Sequence, residues 1–316
     1  MFLHKIQSVM FGSAVGDALG VPVVRKNRGD LDKDPVTDMR GFGSYNLPAG
    51  CFSDDTSMSL ATLDSLANGH FDLADIMAHI GKWAYHGAYS TAEKAFGMDK
   101  TCRTAIVNYF ARSPNPETCG LSDAESNTSG SIVRIHPVVM YNYAHPSLSS
   151  FEETNNVDKA CALTHANNLS KLGCRIYSLV LGELLGPVSE TEMIYKGLEK
   201  AYKYYKNDPD FKAYAKLFTK NFTETDRSEI PNGNGVADTL EAALWCVLTS
   251  ENYEQSLLKA VNLGGNADSI GAVTGAIAGA VHGLADIPTE WLVSLRRKGL
   301  IDGICKKAFT QWNNED

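Results

Sequence analysis

The sequence predicts an all-α protein built as one domain over residues 1–316, and three observations carry that prediction. Apolar residues recur at three-and-four spacing in block after block, whereas strand-like alternation is nearly missing. No low-complexity linker divides the chain, and no fixed-period repeat marks a solenoid.

Residues 5–19 set the helical pattern, with Ile6, Val9, Met10, Ser13, Ala14 and Asp17 on one face. Residues 54–68 repeat it through Met58, Ala61, Leu63, Ser65 and Leu66. Further helices are expected at 73–86, 91–112, 157–167, 170–185, 190–206, 210–219, 236–249, 253–262, 269–284 and 289–298. The best strand candidate is VPVV (21–24), which its proline demotes. Turn residues fill 25–52, 113–131 and 220–235, and loops of this length in a compact domain are usually functional or disordered.

Composition narrows the function classes. A formal net charge of −8 and the absence of a basic stripe argue against nucleic acid as a partner. The N-terminus lacks a signal-peptide core, and the most apolar stretch, Ile270–Ala280, is too short to span a membrane, so no membrane partner is expected. Seven scattered cysteines without a CxxC pair point to reduced thiols and a cytoplasmic setting, and they offer no thiolate zinc site.

Two short segments carry the chemistry. At Ser53-Asp54-Asp55 a loop ends, a serine stands where an N-cap belongs, and two carboxylates occupy the first helical turn. Helix capping alone accounts for such a pattern, since acids there gain about 0.3–1 kcal/mol from the helix dipole. A metal reading needs a second oxygen cluster, and Asn266-Ala267-Asp268-Ser269 supplies one after a Gly-Gly turn. Together the two helix starts offer carboxylate, amide and hydroxyl oxygens without Cys or His, which suits a hard cation, Mg²⁺, Mn²⁺ or Ca²⁺, and not Zn²⁺. Gly271, Gly275, Gly279 and Gly283 then make a bare stripe, expected on a buried central helix. Asp17 lies in a small-residue helix, as a supporting group or a helix-end cap. Asn127-Thr128-Ser129-Gly130-Ser131 is a turn whose amides could cradle a phosphate or ribose. Thr164-His165 falls in a helix-like stretch, where a lone histidine is more often structural than catalytic.

The ordered blocks GDALGVP (16–22), SDDTSMSL (53–60), ALTHA (162–166), DTLEAALW (238–245) and NLGGNADSIGAVTGAIAGA (262–280) resemble the ADP-ribosylglycohydrolase family. The resemblance spans nearly the whole chain. It implies an all-α domain with a magnesium site, usually binuclear, and hydrolysis of the bond between ADP-ribose and a protein side chain, most often arginine. The partners it implies are ADP-ribose and an ADP-ribosylated protein. Carried over, Ser53, Asp54 and Asp55 form one metal half-site and Asn266, Asp268 and Ser269 the other. Asn127, Ser129, Gly130, Ser131, His165 and Tyr89 match segments that border the substrate. Asp55 or Asp268 would activate the water that attacks the anomeric carbon. Two positions depart from the family pattern: Val24 stands where a glutamate is usual, and Asn266 replaces an aspartate. Fewer carboxylates weaken hard-cation binding, and one of two metals is the expected casualty. The rival readings are an ADP-ribose-binding module without catalysis, which those departures support, and a metal-dependent phosphohydrolase releasing AMP.

Overall fold

The computed structural model describes residues 2–313, and among them there are fourteen α-helices and no strand. In chain order these are α1 (Phe2–Gly20), α2 (Arg28–Leu31), α3 (Asp54–Leu66), α4 (Leu73–His86), α5 (Lys100–Val107), α6 (His136–Ala144) and α7 (Ser150–Ala162). Then follow α8 (Asn168–Leu185), α9 (Thr191–Tyr205), α10 (Val236–Leu248), α11 (Tyr253–Val261), α12 (Ala267–His282), α13 (Thr289–Ser294) and α14 (Lys298–Trp312).

The centre of the molecule is the pair α1 and α12, and both are buried on nearly every side. Their glycines explain why. A Cβ placed on Gly16 would stand 2.0 Å from the Gly271 carbonyl oxygen, and one on Gly275 would stand 2.1 Å from that of Gly12. Only bare backbones can approach so closely, so Gly271, Gly275 and Gly279 of the stripe form a helix–helix seam, while Gly283 lies past the end of α12 with open space around it. The seam offsets a glycine cost of about 0.5–1 kcal/mol per position. The Tyr253 hydroxyl of α11 donates to the Gly12 carbonyl at 2.7 Å, tying a third helix to the pair. By length and composition the run Phe2–Val23, longer than the Ile270–Ala280 stretch, could cross a membrane. In the fold, 94% of its apolar window is buried. Helices α8, α10 and α11 pack on α12, while α4, α6 and α14 pack on α3.

Several expected elements differ. Residues 21–23 form a 3₁₀ turn and not a strand, because α1 runs straight into it and Pro22 is tolerated in the first turn of a helix. The expected helix 91–112 begins only at Lys100, where the Asp99 side chain caps it through the Cys102 N–H at 2.7 Å. The 157–167 helix starts earlier, at a Ser149/Glu152 capping box, and ends at Ala162, so Thr164 and His165 lie beyond it. Residues 211–218 are 3₁₀, and 289–298 breaks after Ser294. The loop 25–52 contains the short α2, and α6 and α14 lie outside the expected helices.

Candidate functional site

Asp17 holds the start of α3 on the central helix. Its buried carboxylate accepts the Ser53 N–H at 3.0 Å, the Thr56 N–H at 3.0 Å and the Thr56 hydroxyl at 2.6 Å. It is therefore a cap for a neighbouring helix, supplied from the interior of α1. The Ser53 hydroxyl accepts the Asp55 N–H at 3.2 Å, and Asp54 and Asp55 occupy the first turn.

The start of α12 is shaped by Gly264 and Gly265, both left-handed (φ 74° and 64°). A Cβ on Gly265 would meet the Asn232 carbonyl oxygen at 2.0 Å, so that turn closes only with glycine. Asp268 follows in the first turn, accepting the Ser269 N–H at 2.9 Å.

These two helix starts meet. The Ser269 hydroxyl donates to Asp55 Oδ2 at 2.7 Å, joining residues 214 positions apart in the chain. Behind it, the Asn266 amide donates to Ser129 Oγ at 3.0 Å, and Ser129 donates to Ser269 Oγ at 3.1 Å. Amide to carboxylate, this is one directed chain of hydrogen bonds. It runs along the floor of a cavity of about 540 Å³.

Asp54, Asp55, Asn266, Asp268 and Ser269 all line that cavity, as do Ser129 and Gly130. Ser53 lies beneath it, fully buried as the cap of α3. Asn127 and Ser131 flank the Ser129-Gly130 turn without lining the cavity. Tyr89 stands apart, its hydroxyl donating to Asp64 at 2.7 Å. His165 is fully buried behind the wall. Its Nδ1 pairs with the Thr164 hydroxyl at 2.8 Å, and its Nε2 with the Thr128 hydroxyl at 2.7 Å. Thr164 also receives Arg134 Nη2 at 2.6 Å. Thr128 passes its one proton to the Asp99 carboxylate on the cavity wall, so it must accept from His165 Nε2–H. In the neutral ring Nδ1 is then bare and accepts the Thr164 hydroxyl.

Thr128 of the 127–131 turn lines the cavity too, and sequence reasoning missed Arg25, Tyr45, Asp99, Lys100 and Asn232–Asn234. All but Lys100, the first residue of α5, come from irregular segments, and no local motif announces them. Val24 lines the wall as well, 6% exposed, and contributes no acid there.

Burial sets the electrostatics. It pushes the Asp54 and Asp55 carboxyls well above the usual carboxylate range; repulsion from Asp268 and Asp17 adds to the push on both, and the charge of Asp54 adds to that on Asp55. Asp268 rises to about 6 through burial, and Asp17 to about 7 through burial and the charge of Asp268. Each acid thus binds its proton more tightly in the fold than unfolded. Stability should therefore fall as pH climbs from the unfolded value near 4 through these raised values. In EDTA, the melting temperature is expected to drop between about pH 5 and about pH 7.5. Millimolar Mg²⁺ at the upper pH should restore it by replacing the protons with a cation. A flat profile in EDTA would contradict this.

The donor set fits a hard cation: oxygens only, three of them on buried carboxylates that carry unbalanced charge. A second group, Asp99, Cys102 and His165, places its ligand atoms within 4.8 Å of one another. Its sulfur and nitrogen suit a softer ion, and the Thr128 hydroxyl already bridges Asp99 and His165.

An all-helical fold with acidic helix starts from its two ends facing one cavity defines the class: the chain belongs to the ADP-ribosylglycohydrolase family, whose model matches residues 2–316. It is 30% identical to the ADP-ribosylarginine hydrolase Tri1 of Serratia proteamaculans, covering 99% of this chain and 81% of that protein. It is 28% identical to the ADP-ribosyl-[dinitrogen reductase] glycohydrolase of Rhodospirillum rubrum, covering 91% and 88%. A solved structure described as an ADP-ribosylglycohydrolase-related protein complex superposes with a TM-score of 0.79 at 27% identity, covering 98% of this chain and 99% of that one.

Proposed function

We propose that the protein is a hydrolase that removes ADP-ribose from a mono-ADP-ribosylated protein, with arginine as the acceptor residue. One observation carries the reading: Ser269 of α12 is hydrogen-bonded to Asp55 of α3 on the floor of an acid-lined cavity. The names of the relatives support the substrate class, the Serratia protein being an ADP-ribosylarginine hydrolase. All seven cysteines are free and buried, in keeping with work in a reducing cytoplasm.

Mg²⁺ is the proposed cofactor. Asp54, Asp55 and Asp268 would hold it, with the oxygens of Asn266 and Ser269 beside them and Ser53 fixing the turn from below. When bound, it supplies Lewis-acid polarisation and a template for ribose hydroxyls and water. The apolar Val24 adds no further ligand, so we assign a single ion.

The chain's own residues divide the remaining work. Asp55 takes the proton of the attacking water, with the Ser269 bond to Oδ2 fixing its orientation. Asp268 balances the positive charge that develops on the ribose as the glycosidic bond breaks. Ser129 and Gly130 present the turn against which the ribose or phosphate lies.

The test is direct. Incubating the purified chain with an arginine-ADP-ribosylated protein in Mg²⁺ should release intact ADP-ribose, identified by mass, and EDTA should abolish the release. Release of AMP would point to a phosphohydrolase. Retention of the modified protein without release would point to a binding module.

A further inference from the structure

Arg25 is a cavity residue that neither the sequence motifs nor the proposed reaction uses. It lines the same cavity as Asp54, Asp55 and Asp268, and its side chain is exposed. Among the described residues the guanidinium makes no hydrogen bond and no ion pair. This is unusual beside acids, and its charge does reach Asp268, where it opposes the upward push of burial on that carboxyl.

The backbone shows that the position is set by more than chance exposure. Arg25 has φ 66°, a left-handed conformation that non-glycine residues seldom adopt. Two hydrogen bonds clamp it to the turn that opens α12. The Arg25 N–H donates to the Gly265 carbonyl at 2.7 Å, and the Gly265 N–H donates to the Lys26 carbonyl at 2.9 Å. The turn that aims Asp268 therefore also fixes where Arg25 starts. Its neighbours serve as contrasts: Val24 is buried, and Lys26 is exposed without lining the cavity.

Charge then says what the guanidinium is for. The cavity carries Asp54, Asp55, Asp99 and Asp268 against only Arg25 and Lys100. A phosphate-bearing ligand entering such a site needs a cation that the acids have not already engaged. A free arginine fork matches two phosphate oxygens at once, which a lysine does not.

We propose that Arg25 is the residue that grips the diphosphate of the ligand, its backbone placed at the cavity wall by the clamp between residues 25–26 and Gly265. This rests on the ADP-ribose reading above. It makes Arg25 a determinant of affinity for phosphorylated ligands, separate from the acids that perform the chemistry.

Calorimetric titration of the full chain in Mg²⁺ with ADP-ribose, ADP and adenosine tests it. Arg25→Ala should weaken ADP-ribose and ADP about 10- to 100-fold, the effect of losing charge-assisted hydrogen bonds. Arg25→Lys should recover only part of that loss. Adenosine affinity should stay within about twofold, because no phosphate is present. Lys26→Ala, which removes the same charge from outside the cavity, should also stay within about twofold. The inference is overturned if Arg25→Ala binds ADP-ribose as tightly as the parent, or if it loses adenosine equally. A parent chain that binds no ADP-ribose would overturn both this inference and the functional reading beneath it.

Discussion

Asp55→Asn is expected to lower the rate of ADP-ribose release by about 10²–10⁴-fold, the range for loss of a positioned general base, while raising the stability of the cation-free protein at neutral pH. The two effects have one cause. Asp55 is 3% exposed, and burial together with the charges of Asp54 and Asp268 makes its ionised form costly. Asparagine keeps the shape, and its carbonyl can still accept the Ser269 hydroxyl that now binds Oδ2 at 2.7 Å. What disappears is the negative charge, which the fold resists and the reaction requires. Single-turnover release in Mg²⁺ measures the first effect, and melting temperature in EDTA measures the second. A variant that releases ADP-ribose at the parental rate would sink the assignment of Asp55. One that loses activity and stability together would show that the carboxylate is a structural support.

The parts of this site that were legible in the sequence are those that local rules write. Ser53-Asp54-Asp55 reads as a cap followed by acids because a helix start needs an oxygen acceptor and tolerates negative charge. Asn266–Ser269 reads as a second start because a Gly-Gly turn precedes it. Their meeting was inferred from chemistry, since hard-cation ligands in two places ask to be joined, and the Ser269–Asp55 bond shows the two segments in contact. Arg25, Tyr45 and Asp99 were not legible for the opposite reason. They sit in irregular backbone whose course is set by distant partners, as the clamp on Gly265 sets Arg25. Residues 21–23 misled because valines favour strands while Pro22 is tolerated in the first turn of a helix. Helix α14 does carry an apolar stripe, Ile301, Ile304, Cys305, Ala308 and Trp312, but Gly299 and Gly303 dilute it near its start.

Gly16→Ala tests the fold where it positions the site, and it is expected to destabilise the protein strongly. The new Cβ would stand 2.0 Å from the Gly271 carbonyl oxygen and 2.8 Å from Leu257 Cδ1. The leucine can turn aside. The carbonyl belongs to the backbone of α12 and cannot, so the two central helices must separate. Overpacking of this kind costs about 1–3 kcal/mol, and a backbone obstacle belongs at the upper end. The gain in helix propensity of about 1 kcal/mol from replacing glycine opposes it without cancelling it. A control isolates the seam. Gly303 lies inside α14 with no atom within 4 Å of its would-be Cβ. Gly303→Ala should therefore stabilise by about 0.5–1 kcal/mol, the same substitution with the opposite sign. Urea midpoints at a common slope compare the two directly. The damage from Gly16→Ala should also reach the cavity. Asp17 is the next residue and holds both Ser53 and Thr56, while the displaced α12 carries Asp268 and Ser269. Separating α1 from α12 moves one acidic helix start away from the other and stretches the 2.7 Å bond between Ser269 and Asp55. Hydrolysis should consequently fail in the fraction that still folds, at denaturant concentrations well below the unfolding midpoint. If Gly16→Ala is instead as stable and as active as the parent, the close seam between α1 and α12 does not set the spacing of the site.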